Sequence, residues 1–206
     1  MIPLAAILVS SFLASWACST AKMDAVTKAT TEISASMGEG KEGASDKVLM
    51  ILVSAPGGNT EKIAKAMASA LGARILSAGE ASAADLKAYE IIGFGSGIVE
   101  QKHHEALLSF VDALPPEEGK KAFIFSTSGY SRQFALDHGT YDTHTLLRRK
   151  LVEKGFGIAG EFNCEGFNAN SFLELFGGMN KGRPNEEDLA RAAEFARDLI
   201  VAEGTP

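Results

Sequence analysis

Lys47-Val-Leu-Met-Ile-Leu-Val53 runs into Ser54-Ala-Pro-Gly-Gly-Asn-Thr60, and that into Glu61-Lys-Ile-Ala-Lys-Ala-Met-Ala-Ser-Ala-Leu-Gly72. The first run is aliphatic throughout after its lysine, as a buried parallel strand is. The third is rich in helix formers and ends on a glycine, a common helix stop. Strand, Gly-rich turn and helix together put backbone N–H groups and a helix N-terminus at one point, which suits an anion. Gly57 and Gly58 allow close backbone approach, and Asn59 and Thr60 offer caps and side-chain hydrogen bonds. Phosphate is the expected guest. No Gly-Lys-Ser/Thr follows, so the turn is not a Walker loop, and neither ATP nor GTP is favoured.

The same alternation continues to the end of the chain. Ala73–Ser77, Tyr89–Gly95, Lys121–Ser126 and Gly157–Asn163 read as strands. His104–Leu114, Asp142–Gly155 and Asn185 to about Ala202 read as helices, the last opening on a capping Asn and an acidic first turn. This predicts an α/β fold, a three-layer doubly wound sheet of five parallel strands. Ligands of such sheets sit beyond the C-terminal strand ends, where the strand order switches.

The 206 residues suit one domain at 47–206 preceded by a tail. A formal net charge of −6 argues against nucleic acid as a main partner, because phosphate contacts at scale need a basic face. Cys18 and Cys164 make no disulfide framework, and no His or Cys spacing suggests a metal. Residues 1–18 are an apolar, anchor-like or signal-like segment, with Ile2–Ala17 almost wholly apolar. A secretory signal lacks its basic start here. A lipoprotein would be anchored at Cys18. A signal anchor with Lys22 and Lys28 behind it leaves the domain facing the cytoplasm, and a non-native start would leave a plain cytoplasmic protein. Membrane association with a cytoplasmic domain is the favoured expectation. Residues 19–46 are small and polar, as a flexible linker is.

Three strand ends carry small loops: Ser54–Thr60, Gly95–Lys102 and Ser126–Ser131. Each alone would serve equally as a tight turn; together they flank one crevice. At this point the sequence resembles the flavodoxin family. Gly58-Asn-Thr60 resembles the end of its phosphate loop. Ile92-Gly-Phe-Gly-Ser-Gly-Ile98 and Phe123-Ile-Phe-Ser-Thr-Ser-Gly129 resemble the second and third flavin loops of its short members. Gly160–Phe167 and Gly182–Leu189 also recur there.

The resemblance implies strand order 2-1-3-4-5 and one FMN. Ser54, Pro56, Gly57, Gly58, Asn59 and Thr60 would hold the phosphate. Gly95, Ser96, Gly97, Ile98, Val99, Ser126, Thr127, Ser128, Gly129 and Tyr130 would surround the ring. It also implies an electron carrier between redox partner proteins, with no catalytic side chain. The alternatives are an NAD(P)H-dependent FMN or quinone reductase, and a non-catalytic interaction protein with a decayed flavin site. Two departures stand out: Ala55 and Gly57 replace hydroxyl residues, and Val99 and Glu100 stand where an aromatic often stacks. Tyr130 is the substitute ring, with Phe134 and Tyr141 farther off. His103 and His104 are expected to be solvated at a helix start, Arg148-Arg149-Lys150 to form a solvated helix face, and Cys164 to be a packing residue. Phe172-Leu-Glu-Leu-Phe176 reads as a flap or as an apolar plug.

Overall fold

The computed structural model describes residues 47–55, 58–138, 142–168 and 177–201. The apolar segment 1–18, the linker 19–46, Pro56, Gly57, Tyr141 and the Phe172–Phe176 run lie outside them. Among the described residues no helix is long and apolar enough to cross a membrane.

Strands β1 (Val48–Val53), β2 (Arg74–Ser77), β3 (Ile91–Val99), β5 (Lys121–Ser128) and β6 (Gly157–Glu165) run parallel in the order β2-β1-β3-β5-β6. The two-residue β4 (Lys102–His103) adds antiparallel to the end of β3. With β4 set aside, this is the expected 2-1-3-4-5 topology. The helices are α1 (Asn59–Leu71), α2 (Ala83–Leu86), α3 (Glu105–Ala113), α4 (Arg132–Asp137), α5 (Thr145–Glu153) and α6 (Glu186–Val201). The chain leaves β1 for β2 on one side and for β3 on the other, so the switch lies between β1 and β3.

Side chains alternate across the sheet. Met50, Leu52, Phe123, Phe125 and Cys164 pack with Ile63 and Met67 of α1 and Ala192, Ala196 and Leu199 of α6. Leu49, Ile51, Ile92, Phe94 and Ile124 pack on the other face with Leu107, Leu108 and Val111 of α3 and Leu147 and Leu151 of α5. On the first face Gly93 stands beside Phe123 and Gly95 beside Phe125. The two rings stack, with centroids 5.9 Å apart. A Cβ on Gly93 would lie 2.3 Å from the Phe123 ring, and one on Gly95 2.0 Å from that of Phe125. Those glycines are therefore the space the rings occupy. The helix α6 starts as expected: the Asn185 side chain accepts from the Asp188 N–H, and Asp188 accepts from the Asn185 N–H, both at 3.0 Å.

The strand ends differ from expectation. Gly95–Val99 and Ser126–Ser128 are strand, because Ser96 pairs with Ser126 and Gly97 with Thr127 across the ladder. The expected long third loop is a hairpin turned at Glu100 and Gln101, with φ of 50° and 64°, the signs that a two-residue turn between twisted strands requires. The short helix α4 was not expected; the Ser131 hydroxyl caps it by accepting from Phe134 N–H at 3.1 Å.

Arg148 does not belong to a solvated face. It pairs with Glu161 of β6 and, at 2.7 Å, with Asp142, which also binds Arg132 at 2.7 Å. Arg132 hydrogen bonds lead the effects that hold Asp142 well below the usual carboxylate range. Burial pushes Glu161 up, but hydrogen bonds from Arg148 and His144 outweigh it and hold the carboxyl at about 2.

Gly95→Ala should lower stability by about 3 kcal/mol in urea unfolding, the upper range for an overpacked core; loss under 1 kcal/mol would mean that Phe125 can step aside. The depressed carboxyls of Asp142 and Glu161 give stability that is complete above their unfolded values, about 4, and lost as pH falls toward 2. Arg148→Ala should therefore cost about 2 kcal/mol at pH 7 and progressively less below pH 4, read as urea midpoints across that range.

Candidate functional site

The C-terminal ends of β1, β3 and β5 and the start of α1 enclose a cleft of about 540 Å³. Val53, Ser54, Ala55, Gly58, Asn59, Thr60, Gly97, Val99, His104 and Thr127 line it. A second hollow of about 190 Å³ adjoins it, sharing Asn59, Gly97 and Thr127 and adding Ile98, Ser128, Gly129 and the Gly166–Asn168 turn. These volumes lie in or beside the range of small-molecule sites.

The phosphate end is made by backbone. Gly58 N–H donates to Ala55 C=O at 2.9 Å and closes the turn. A Cβ on Gly58 would meet both Ala55 O and Ser54 Oγ at 2.8 Å, so the turn has no room for a side chain there. Gly58 is the N-cap of α1, a 13-residue helix without a side-chain cap. Its first turn faces the cleft with a positive dipole end. The hydroxyls are engaged elsewhere: Ser54 donates to Ala55 C=O at 3.1 Å, and Thr60 Oγ1 shares a 2.7 Å hydrogen bond with Thr127 Oγ1. That buried pair ties α1 to β5 across the floor of the cleft.

Gly97 keeps the cleft open. A Cβ there would come no closer than 3.9 Å to Thr60 Oγ1 and 4.0 Å to Thr127 O. Asn59 reaches across to the loop after β6, donating to Phe167 C=O at 2.8 Å. Asn180 donates to Gly129 C=O at 2.6 Å and fixes the far side.

The expected residues divide by how far along the strands they lie. Gly97, Ile98, Val99, Thr127, Ser128 and Gly129 do line the cleft or its annex, as do Ser54, Gly58, Asn59 and Thr60. Gly95 does not: its missing side chain makes room for Phe125. Ser96 and Ser126 point to the opposite face and are fully buried. Ser96 Oγ shares a 2.8 Å hydrogen bond with His103 Nδ1 and accepts from His104 N–H at 3.0 Å. Ser126 Oγ shares a 2.7 Å hydrogen bond with His144 Nε2 and accepts from Asn163 at 2.8 Å. Tyr130 lies outside the cleft lining and meets Phe134 at 6.1 Å between centroids. Pro56 and Gly57 lie outside the described residues.

Residues 166–168 were not among the expected site residues, and His104, expected as a solvated residue at a helix start, also lines the cleft. Gly166 and Phe167 follow β6 at the same sheet edge as the three compared loops, and that position is the signal that pointed to them. Phe167, 40% exposed, is the aromatic ring that the annex actually presents. His104 caps α3, its Nδ1 accepting from Ala106 N–H at 3.1 Å, whereas His103 is buried, not solvated. Cys164 packs in the core, and burial pushes its thiol up to about 12, so it carries no thiolate.

Glu161, His144 and Ser126 follow the hydrogen-bond order of a hydrolytic triad, with Glu161 Oε2 3.1 Å from His144 Nδ1. Ser126 and His144 are fully buried, so no substrate reaches that hydroxyl. The series is a strut between β5, β6 and the start of α5.

Comparison with known proteins follows this geometry. Residues 50–161 match the family model described as a flavodoxin domain. An uncharacterized protein of Methanocaldococcus jannaschii is 42% identical over 154 residues, which span 75% of this chain and 98% of that protein. Oxidised flavodoxin 2 from Bacillus cereus superposes with a TM-score of 0.54 at 20% identity, over 76% of this chain and 99% of its own. The rubredoxin oxygen:oxidoreductase of Desulfovibrio gigas gives a TM-score of 0.54 at 14% identity, over 78% of this chain and 38% of its own. At such identities the solved structures speak for the fold, and the family rests on the sequence matches: the chain belongs to the flavodoxin-domain family.

Proposed function

We propose that the domain binds one FMN in the cleft between β1, β3 and β5 and carries electrons between redox partner proteins. The observation that carries the reading is the cleft itself: a Gly-capped helix N-terminus at one end and, at the other, a mainly polar annex in which Ile98 and Phe167 are the large apolar residues. Few side-chain hydroxyls remain for an anion, so Gly58, Asn59 and Thr60 would hold the phosphate chiefly through backbone N–H groups. Val99 and Phe167 supply apolar surface for a ring, and Gly97 leaves room for its approach. Bound there, FMN supplies the electron-carrying chemistry, while the polypeptide sets its position and surroundings.

Of the polar side chains in the cleft lining, Thr60 and Thr127 are bonded to one another and His104 caps α3, which suits a carrier. The flavodoxins and the oxidoreductase that share this fold are consistent with that role. The apolar segment 2–17 belongs to the same proposal as a tether that would keep the carrier at a membrane.

Anaerobic titration of the flavin-free chain with FMN should quench flavin fluorescence to a one-to-one end point. Addition of NADPH should then leave the flavin oxidised, because the carrier needs a partner. Absence of FMN binding by folded protein would sink the proposal, and prompt bleaching by NADPH would turn it toward a reductase. Gly97→Val should fold normally, since its Cβ meets ordinary contacts and a branched residue suits a strand. It should bind FMN at least tenfold more weakly, because the methyls enter the cleft that Gly97 lines beside the Thr60–Thr127 pair.

A further inference from the structure

Below the cleft, on the opposite face of the sheet, His103 and His144 lie with ring centroids 5.0 Å apart. His103 is 1% exposed and His144 not at all. His144 is fully engaged, between Ser126 and Glu161. His103 is not: Nδ1 meets Ser96, and Nε2 has no hydrogen-bond partner among the described residues. This ring sits on β4, the return strand of the hairpin whose other strand carries Gly97, Ile98 and Val99. The same Ser96 hydroxyl also accepts from His104 N–H, so one side chain of β3 gathers both histidines at the base of the hairpin.

We propose that His103 is a positioning residue for the cleft: its neutral imidazole, tied to Ser96, holds the β3–β4 hairpin where Gly97, Ile98 and Val99 form the wall, and protonation of that ring in mild acid frees the hairpin. The reading of the cleft as a flavin site enters only through the ligand used to probe it.

The surroundings of His103 accept a neutral ring and reject a charged one. β3 presents no charge to it. From α5 and the turn before it come His144, Asp142 and Arg148; from β6 comes Glu161; from α4 comes Arg132. Its own hairpin and the start of α3 carry Glu100, Lys102, His104 and Glu105, with Lys102 and Glu105 paired at 2.9 Å on the surface. Asp142 and Glu161 favour a charge on His103, but both are already bridged by Arg132 and Arg148, and burial and His144 outweigh them. A protonated His103 would bury an Nε2–H without an acceptor, beside another imidazole. Burial first, then His144, push its ionisation well below the ordinary histidine value. In the freed hairpin the ring regains an ordinary value near 6.5. The docked hairpin thus binds fewer protons than the freed one, and it loses ground as pH falls below about 6.5.

The test uses the full chain, ¹⁵N-labelled, without ligand, from pH 7.5 to 5. Amide protection factors at positions 97–103, corrected for intrinsic exchange, should fall at least tenfold in the wild type and less than threefold in H103Q. The glutamine keeps a hydrogen bond to Ser96 and does not titrate. FMN is the second probe. Its phosphate titrates near pH 6 in both proteins, so the ratio of wild-type to H103Q dissociation constants is the reading, and it should rise between pH 7.5 and 5.5, by up to the roughly tenfold that one proton with a value near 6.5 allows. Equal pH dependence in the two proteins, or steady wild-type protection down to pH 5, overturns the proposal. If FMN binds at no pH, the flavin reading falls and the protection factors alone decide. If H103Q does not fold, the wild-type His103 C2–H resonance decides: titration near 6.5 with the hairpin still protected overturns the proposal, and hairpin opening in step with His103 protonation supports it.

Discussion

Two phenylalanine rings of β5 lie across two glycines of β3, and the architecture of the site follows from that contact. Phe123 and Phe125 are fully buried and stack on one face of the sheet. They fit only because Gly93 and Gly95 present no side chain opposite them. With the rings turned over β3, the sheet packs closely under α1 and α6. Two residues further along, the same face changes from large to small: Gly97 and Thr127 replace the Gly–Phe pairs. The step down in volume at that row, where the core ends, is what leaves a cleft. A cavity forms here because the packing stops, and the Thr60–Thr127 hydrogen bond fastens the start of α1 across its floor.

The opposite face runs by different rules. Ile92 and Phe94 lead to Ser96, and Ala122 and Ile124 lead to Ser126, so the core there ends in hydroxyls instead of a gap. Those hydroxyls need partners once buried, and His103, His104 and His144 provide them. Glu161 reaches this face because a register shift between Ala122 and Phe123 steps β6 past Ala159. Arg148 and Arg132 then neutralise it together with Asp142. The sheet therefore carries an apolar face that opens into a cleft and a polar face that fastens the ends of β3, β5 and β6.

Strand order and the helical layers were legible in the pattern of apolar runs, because each buried parallel strand is a run of its own. The floor of the site was legible too, in Gly58-Asn-Thr60 and in Gly97 and Thr127. The extents of β3 and β5 were not. Gly is depleted in strands, and a reading by composition ends the strand where the large aliphatics end; the ladder between Ser96 and Ser126 overrides it. Once those residues are strand, period-two alternation turns Ser96 and Ser126 to the opposite face, while Gly95, on the cleft face, is taken up by the Phe125 ring. His103 was misread for a related reason. Two adjacent histidines before a helix look like solvated caps, and only the hairpin turn at Glu100 and Gln101 sends one of them inward. Phe167 went unnoticed because the end of β6 was not compared with the other three.

A cleft lined by so much backbone places an unusual demand on the rest of the chain. Side chains that line a site can adjust by changing rotamer, whereas a backbone wall is right only if the strand carrying it is right. In this domain Gly58, Gly97 and Gly129 contribute no side chains, Thr60 and Thr127 satisfy one another, and Ser54 satisfies its own turn. The lining cannot correct its own geometry, so its precision must come from what grips the strands outside the cleft. On one face that grip is steric, the rings over the glycines. On the other it is the Ser–His contacts at the base of the hairpin and the arginine–carboxylate cluster behind β6. The first carries no titratable group and the second is built from them, so the polar face can couple the geometry of the site to acid through residues that never touch the ligand.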